Sequence, residues 1–139
     1  MNDLSDTAQP RYSAKALTEF SVRLLQRAGL PEARARCVGE TLVAADLIGH
    51  TTHGLQLLPA YLQDLENGDM TITGDPEVVS DRGAAVTWDG RCLPGPWLVH
   101  RALDLAFERI AAHPVVTLVI RRSHHIAALA AYLERATER

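Results

Sequence analysis

Six histidines occur in the 139 residues, and four of them fall in two tight clusters, His50-Thr51-Thr52-His53-Gly54 and Ser123-His124-His125. Imidazole gives and takes protons near neutral pH, so histidines set beside hydroxyls suit acid/base work on an alcohol or a carbonyl. The second cluster stands between an apolar run and a stretch with helical spacing. That is the carboxyl end of a strand, where α/β proteins bind ligands. At a helix start the positive terminus favours neutral imidazole, so His125 can take a proton from an alcohol. Arg121 and Arg122 precede it and are suited to hold a carboxylate or phosphate. The same residues also read as Ser123 capping a helix beside two solvated histidines. In the first cluster Thr52 can cap the helix that follows, and Gly54 allows another group close to the backbone. His53 can donate to a substrate oxygen or simply fill a turn. His50 and His53 have ligand-like spacing, but two ligands do not make a metal site, and Cys37 and Cys92 lack paired zinc spacing. No metal is expected, and the cysteines read as reduced thiols.

Three helices are expected upstream of the first cluster and just beyond it. Ser13 caps the first, which carries Leu17, Phe20, Leu24, Leu25 and Ala28 at helical spacing and ends at Gly29. Pro31 begins the second, with Val38, Leu42 and Ala45 as its stripe to about Leu47. The third carries Leu55, Leu58, Tyr61, Leu62 and Leu65 and stops at Asn67-Gly68. Residues 71–76 read as a loop and Val78-Val79 as a short extended piece. Ala84 to Trp88 reads as a strand closed by a turn at Asp89-Gly90. Leu93 to Pro96 reads as a rigid loop and the stretch from Trp97 to Ile110 as a helix. Val115 to Ile120 has the apolar texture of a strand buried on both faces, and a last helix follows from Ser123. Trp88 and Trp97 read as core or interface anchors. Glu32, Arg34 and Arg36 read as a solvated face, as do Glu134, Arg135, Glu138 and Arg139. The organisation expected is a disordered lead-in over 1–11, a helical segment over 12–70, and the beginning of a sheet-based domain over 71–139. A sheet of two or three strands is marginal alone, so the chain reads as incomplete or in need of a partner.

Bulk properties exclude several classes. A net charge of −3 gives no long-range attraction to nucleic acid or anionic lipid. No apolar run approaches a membrane span, and Met1 to Pro10 is too polar and acidic for a secretory signal, so a cytoplasmic location is expected. A helix-turn-helix regulator on residues 13–48 is disfavoured because no helix there has a basic face free of acids.

Two stretches carry a family resemblance. Asp46-Leu47-Ile48-Gly49-His50-Thr51-Thr52-His53-Gly54, with Leu58-Pro59 and Tyr61, resembles the motif A-D-x-x-G-H-x-[ST]-H-G-x-x-x-L-P-x-Y. Arg122-Ser123-His124-His125-Ile126-Ala127, with Tyr132 beyond, resembles N-S-x-H-F-G followed by a tyrosine. Both motifs, in register, are similar to those of the malate/L-lactate dehydrogenase family, which includes ureidoglycolate dehydrogenase and diketogulonate reductase. The resemblance runs over about residues 12–139.

The resemblance implies an α+β fold with an α/β-like second half: three helices, then the truncated start of a non-Rossmann nicotinamide-binding domain. The chain indeed has no G-x-G-x-x-G. It implies hydride transfer between NAD or NADP and a 2-hydroxy or 2-keto acid, in a homodimer. His53 and His125 become the acid/base candidates, with Thr52, Arg121, Arg122 and Ser123 at the substrate. Cofactor contacts are not assigned. Leu57 stands where many relatives carry a carboxylate-gripping arginine, Arg122 replaces an asparagine, and Ile126-Ala127 replaces Phe-Gly. Arg121 or Arg122 would then have to supply the missing cation. Family members extend well past this length, so the chain alone is expected to be inactive. The alternative is a non-enzymatic interaction or dimerisation module derived from such an enzyme.

Overall fold

A computed structural model describes residues 11–137, and the expected lead-in lies, apart from Arg11, outside the described residues. Three helices open the fold: α1 (Ala14–Arg27), α2 (Glu32–Leu47) and α3 (Leu58–Asn67). Ser13 caps α1 by accepting the Ala16 N–H at 3.0 Å. Gly29 and Gly68, at φ +99° and +80°, take the left-handed turns that end α1 and α3. Pro31 is the cap of α2 rather than its first residue: its extended ψ of 146° turns the chain, and its carbonyl accepts the Ala35 N–H.

The sheet follows as β1 (Glu77–Asp81), β2 (Ala85–Asp89) and β3 (Thr117–Arg121), in the order β1-β2-β3. β1 runs antiparallel to β2, with a bulge between Val78 and Ser80, and β3 runs parallel to β2. Between the parallel strands the chain crosses over through α4 (Gly95–Arg109). Leu93 to Pro96 is therefore not a free loop: Pro94 caps α4, and Gly95-Pro96 form its first turn, where proline's missing N–H is harmless. Asp89 likewise belongs to β2, and the turn falls at Arg91-Cys92.

β3 departs from expectation. Val86 and Trp88 of β2 are buried and pair with Leu118 and Ile120, which are half-buried. The alternate residues Thr117, Val119 and Arg121 are exposed, with Val119 at 54%. Burial on both faces needs a second neighbouring strand and a second covering layer, and β3 has neither among the described residues.

The segment after β3 also differs. Residues 122–128 are irregular, a 3₁₀ turn follows at Leu129–Tyr132, and only α5 (Leu133–Thr137) is helical. Ser123 caps nothing, since its hydroxyl donates to the His124 carbonyl. Arg122 and Ala127 sit at φ +50° and +57°, which no helix permits.

The core joins these parts. Val22, Leu25, Val38, Leu42, Tyr61 and Leu65 pack together, and Ala127 from the irregular segment packs into the same cluster. Two residues expected on solvated faces hold the layers. Arg34 is 9% exposed, donates to the carbonyls of Ile72 (2.7 Å) and Gly74, and stacks on Trp97 at 5.3 Å. Arg135 ties α5 to α4 through His100 and Asp104. Arg36 does stay at the surface, paired with Glu19, Glu32 and Glu40. No helix among the described residues is long and apolar enough to cross a membrane.

Replacing Arg34 by Ala removes two charge-assisted hydrogen bonds and strands two carbonyls. Urea denaturation of Arg34→Ala is expected to show a loss of about 2–4 kcal/mol; a loss below about 0.5 kcal/mol would contradict the assigned role.

Candidate active site

The first histidine cluster folds as two 3₁₀ turns, Thr51–His53 and Leu55–Leu57, between α2 and α3. The residue that organises it is Asp46, whose carboxylate accepts the Leu55 N–H at 2.9 Å. Thr52, expected as a helix cap, makes no cap bond; its hydroxyl meets His53 Nδ1 at 3.0 Å. Gly54 is required by contact: a Cβ there would stand 2.1 Å from Asp46 Oδ1. The close approach expected at this glycine is thus made by a residue of the motif itself.

The second cluster rests on the N-terminus of α4. A Cβ on Gly95 would lie 2.2 Å from the His125 carbonyl oxygen and 2.5 Å from that of His124. The His124 N–H donates to the Leu93 carbonyl at 3.2 Å. From the other side comes Tyr61 of α3, whose hydroxyl donates to the His125 carbonyl at 2.9 Å and stands 3.1 Å from His125 Nδ1. Burial pushes the Tyr61 phenol well above its ordinary range, so it remains a donor. His124 lies edge-on to Tyr61 and contacts Asp64 through Nε2 at 3.0 Å.

These supports bring the two distant motifs together. The rings of His53 and His125 stack with centroids 5.8 Å apart and planes inclined by 29°. Both residues are exposed, so the pair is open to a ligand. His125 is held below the ordinary histidine range by partial burial, then by the neighbouring His53 and His124. The shift favours the neutral form, and its causes are burial and these neighbours rather than a helix terminus, since no helix begins at His125.

Arg121 and Arg122 turn their Nε groups onto one carboxylate, the buried Asp89, at 3.0 and 2.8 Å. Burial pushes the Asp89 carboxyl up, but the Arg122 hydrogen bond, the Arg91 N–H and both guanidinium charges outweigh it, and the net shift is downward. Both arginine side chains stay largely exposed, at 61% and 62%. His50 lies apart from these contacts, and no cluster of three metal-ligating side chains occurs among the described residues.

Asp46, Asp64, Asp89 and Gly95 had drawn no functional reading from the sequence. Asp46 lies inside the first motif and could have been found there. The others are recognisable only once β2, α4 and the 122–128 segment meet.

The malate/L-lactate dehydrogenase family profile matches residues 12–139. Hydroxycarboxylate dehydrogenase B of Escherichia coli K12 is 31% identical over 125 residues, covering 90% of this chain and 35% of that protein. L-lactate dehydrogenase of Cupriavidus necator is 31% identical over 126 residues, covering 91% of this chain and 36% of that one. Among solved structures, malate dehydrogenase of Pyrococcus horikoshii OT3 superposes with a TM-score of 0.89 at 28% identity, over 93% of this chain and 37% of its own. The chain thus spans about a third of the length of the curated relatives it matches.

Gly54→Ala and Gly95→Ala each force an atom into an occupied position, one against a carboxylate and one against backbone. Each is expected to lower stability by about 1–3 kcal/mol in urea denaturation and to move the His53 or His125 resonances respectively. Wild-type stability and unmoved histidine signals in either variant would contradict the assigned contact.

Proposed function

The chain belongs to the malate/L-lactate dehydrogenase family, and on that premise we propose that it carries the substrate-side acid/base half of a dehydrogenase. The reaction is hydride transfer between NAD or NADP and a 2-hydroxy or 2-keto acid. The observation that carries this reading is the stacked, exposed His53–His125 pair, formed from two motifs far apart in sequence. Relatives named for hydroxycarboxylate, L-lactate and malate support the substrate class.

The donor set fits that chemistry. Two imidazoles and the Thr52 hydroxyl offer one acceptor and several donors to a hydroxyl or carbonyl oxygen. The nicotinamide, when bound, supplies the hydride acceptor or donor. This chain's residues hold the substrate oxygen and move its proton. Leu57, packed against the helical core, leaves the substrate carboxylate to other cations. Arg121 and Arg122 are assigned to it, each keeping an exposed guanidinium after its bond to Asp89. Ser123, whose proton goes to the His124 carbonyl, offers its oxygen as an acceptor nearby. Since the chain matches 35% of hydroxycarboxylate dehydrogenase B, turnover is assigned to an assembly holding the rest of the fold, and the chain alone is read as inactive. A cytoplasmic setting agrees with the free thiols of Cys37 and Cys92.

One observation favours a second reading, an interaction or dimerisation module. An apolar groove of about 380 Å³ runs between α1 and the α3 region, lined by Leu17, Phe20, Leu24, Leu55, Leu58 and Leu62. A homodimer through such a surface is compatible with both readings.

The test is a chimera in which this chain replaces the matching segment of hydroxycarboxylate dehydrogenase B. It is expected to reduce 2-keto acids with NADH or NADPH, and His53→Ala and His125→Ala are each expected to lower kcat/KM by about 10²–10⁴-fold. A folded chimera whose activity ignores both substitutions would defeat the dehydrogenase reading, and a folded, inactive chimera that still self-associates would favour the module.

A further inference from the structure

The two histidines are not equivalent, because their Nδ1 atoms face different partners. The backbone N–H of Ala127 donates to His125 Nδ1 at 3.1 Å. A backbone amide can only donate, so this Nδ1 must be the acceptor, and the neutral ring carries its proton on Nε2. The Tyr61 hydroxyl, with Nδ1 taken, gives its proton to the His125 carbonyl at 2.9 Å. Protonating His125 on Nδ1 would set two N–H groups against each other and forfeit the Ala127 bond.

His53 has no such lock. Its Nδ1 faces the Thr52 hydroxyl at 3.0 Å, and a hydroxyl either donates or accepts. With Thr52 accepting from Nδ1–H, His53 presents a bare Nε2. When that Nε2 gains a proton, the bond to Thr52 survives unchanged. Of the two rings, only His53 becomes an imidazolium without losing a hydrogen bond.

We propose that the pair divides the work: His53 is the group that takes and returns the proton, and His125, fixed by the Ala127 amide, stays neutral and donates Nε2–H to the substrate oxygen throughout. This rests on the dehydrogenase reading and assigns roles within it. In oxidation the substrate O–H proton passes to His53 Nε2, and the hydrogen of the adjacent C–H bond would leave with the bonding electron pair as hydride, for which a bound oxidised nicotinamide would be the acceptor. The oxygen's freed electron pair closes the C=O bond. The His125 Nε2–H bond stabilises the partial negative charge on that oxygen and keeps its proton. Reduction runs the same steps in reverse. A neutral imidazole donor is preferred here because a second cation 5.8 Å from a protonated His53 would be repelled. The partial burial of His125 and its two histidine neighbours push it the same way.

The assignment inverts the roles suggested by the sequence, where His125 stood as the proton acceptor and His53 as a donor. The difference comes from Ala127, whose φ of +57° belongs to the turn that brings its N–H to Nδ1. No spacing rule would have indicated that bond.

Long-range ¹H–¹⁵N correlation on the ¹⁵N-labelled 139-residue chain reads tautomers directly. Spectra are taken at about pH 8, where an unperturbed histidine is neutral, and His53→Gln and His125→Gln supply the assignments. Expected are a single Nε2–H tautomer for His125 and a mixture of both tautomers for His53. Tyr61→Phe is expected to leave the His125 pattern unchanged, because the Ala127 amide sets it. His125 as Nδ1–H, as a mixture or as imidazolium would overturn the division of roles. So would a His53 locked as Nε2–H, since neither ring would then offer a lone pair. These readouts need no nucleotide. A chain that binds no cofactor leaves the tautomers standing, and a wrong tautomer leaves the dehydrogenase reading standing.

Discussion

The contact on which the site depends is the hydroxyl of Tyr61 against the backbone of His125. Tyr61 is 2% exposed and sits in the helical core, so its position is fixed by packing with Val38, Leu42 and Leu65. One phenol therefore carries the rigidity of the three helices to a segment with no regular structure of its own. Ala127 enters the same core, and Gly95 lets the two histidine carbonyls lie on the start of α4. The 122–128 segment is tied to the rest of the fold by these partners, and within it the Ala127 N–H bonds His125 Nδ1 and the Ser123 hydroxyl bonds the His124 carbonyl. Without the Tyr61 hydroxyl His125 keeps the tautomer set by Ala127 but loses the tie that fixes its distance to His53. Asp46 does the equivalent work for His53 by anchoring the 3₁₀ turns through Leu55.

Charge is handled with similar economy at the strand ends. Asp89 is buried, and a lone buried carboxylate is strongly unfavourable. Arg121 and Arg122 neutralise it from outside, which fixes the direction of the chain as it leaves β3. Because the folded Asp89 titrates below the unfolded value, its contribution is present above the ordinary carboxylate range and lost as pH falls through the folded value. Asp81, held down to about 2 by Arg109 and the Gly83 N–H, behaves the same way on the opposite end of the sheet. For His125 the sign is also acid-labile: its folded value is depressed, so below the ordinary histidine range the unfolded chain binds the extra proton and stability falls.

The helical half was legible because its information is local. Ser13, Gly29 and Gly68 act within a turn of themselves, and the stripes of α1 to α3 repeat at helical spacing. β2 and α4 were legible for the same reason, apart from the first turn of α4. The errors fall where a residue's partner is remote. Arg34 looks like a surface charge until Ile72 and Gly74 supply carbonyls from the sheet side. β3 looks doubly buried because its composition is apolar, whereas burial depends on neighbours. Ser123 looks like a cap because it precedes residues with good helix propensity, yet hydrogen bonds to Leu93 and Tyr61 outweigh that propensity in 122–128. The motif residues His53 and His125 were readable one by one, but their pairing required a contact made by a residue, Tyr61, with an ordinary place in the stripe of α3.

The central claim is that the histidine pair belongs to a nicotinamide-dependent site. Titrating the folded chimera of this chain and hydroxycarboxylate dehydrogenase B with NADH and NADPH, while following nucleotide fluorescence and melting temperature together, tests it most directly. The account predicts saturable binding of one nucleotide, with a melting temperature that rises with its concentration and a response that weakens in His53→Ala. A folded chimera that binds neither nucleotide would contradict it.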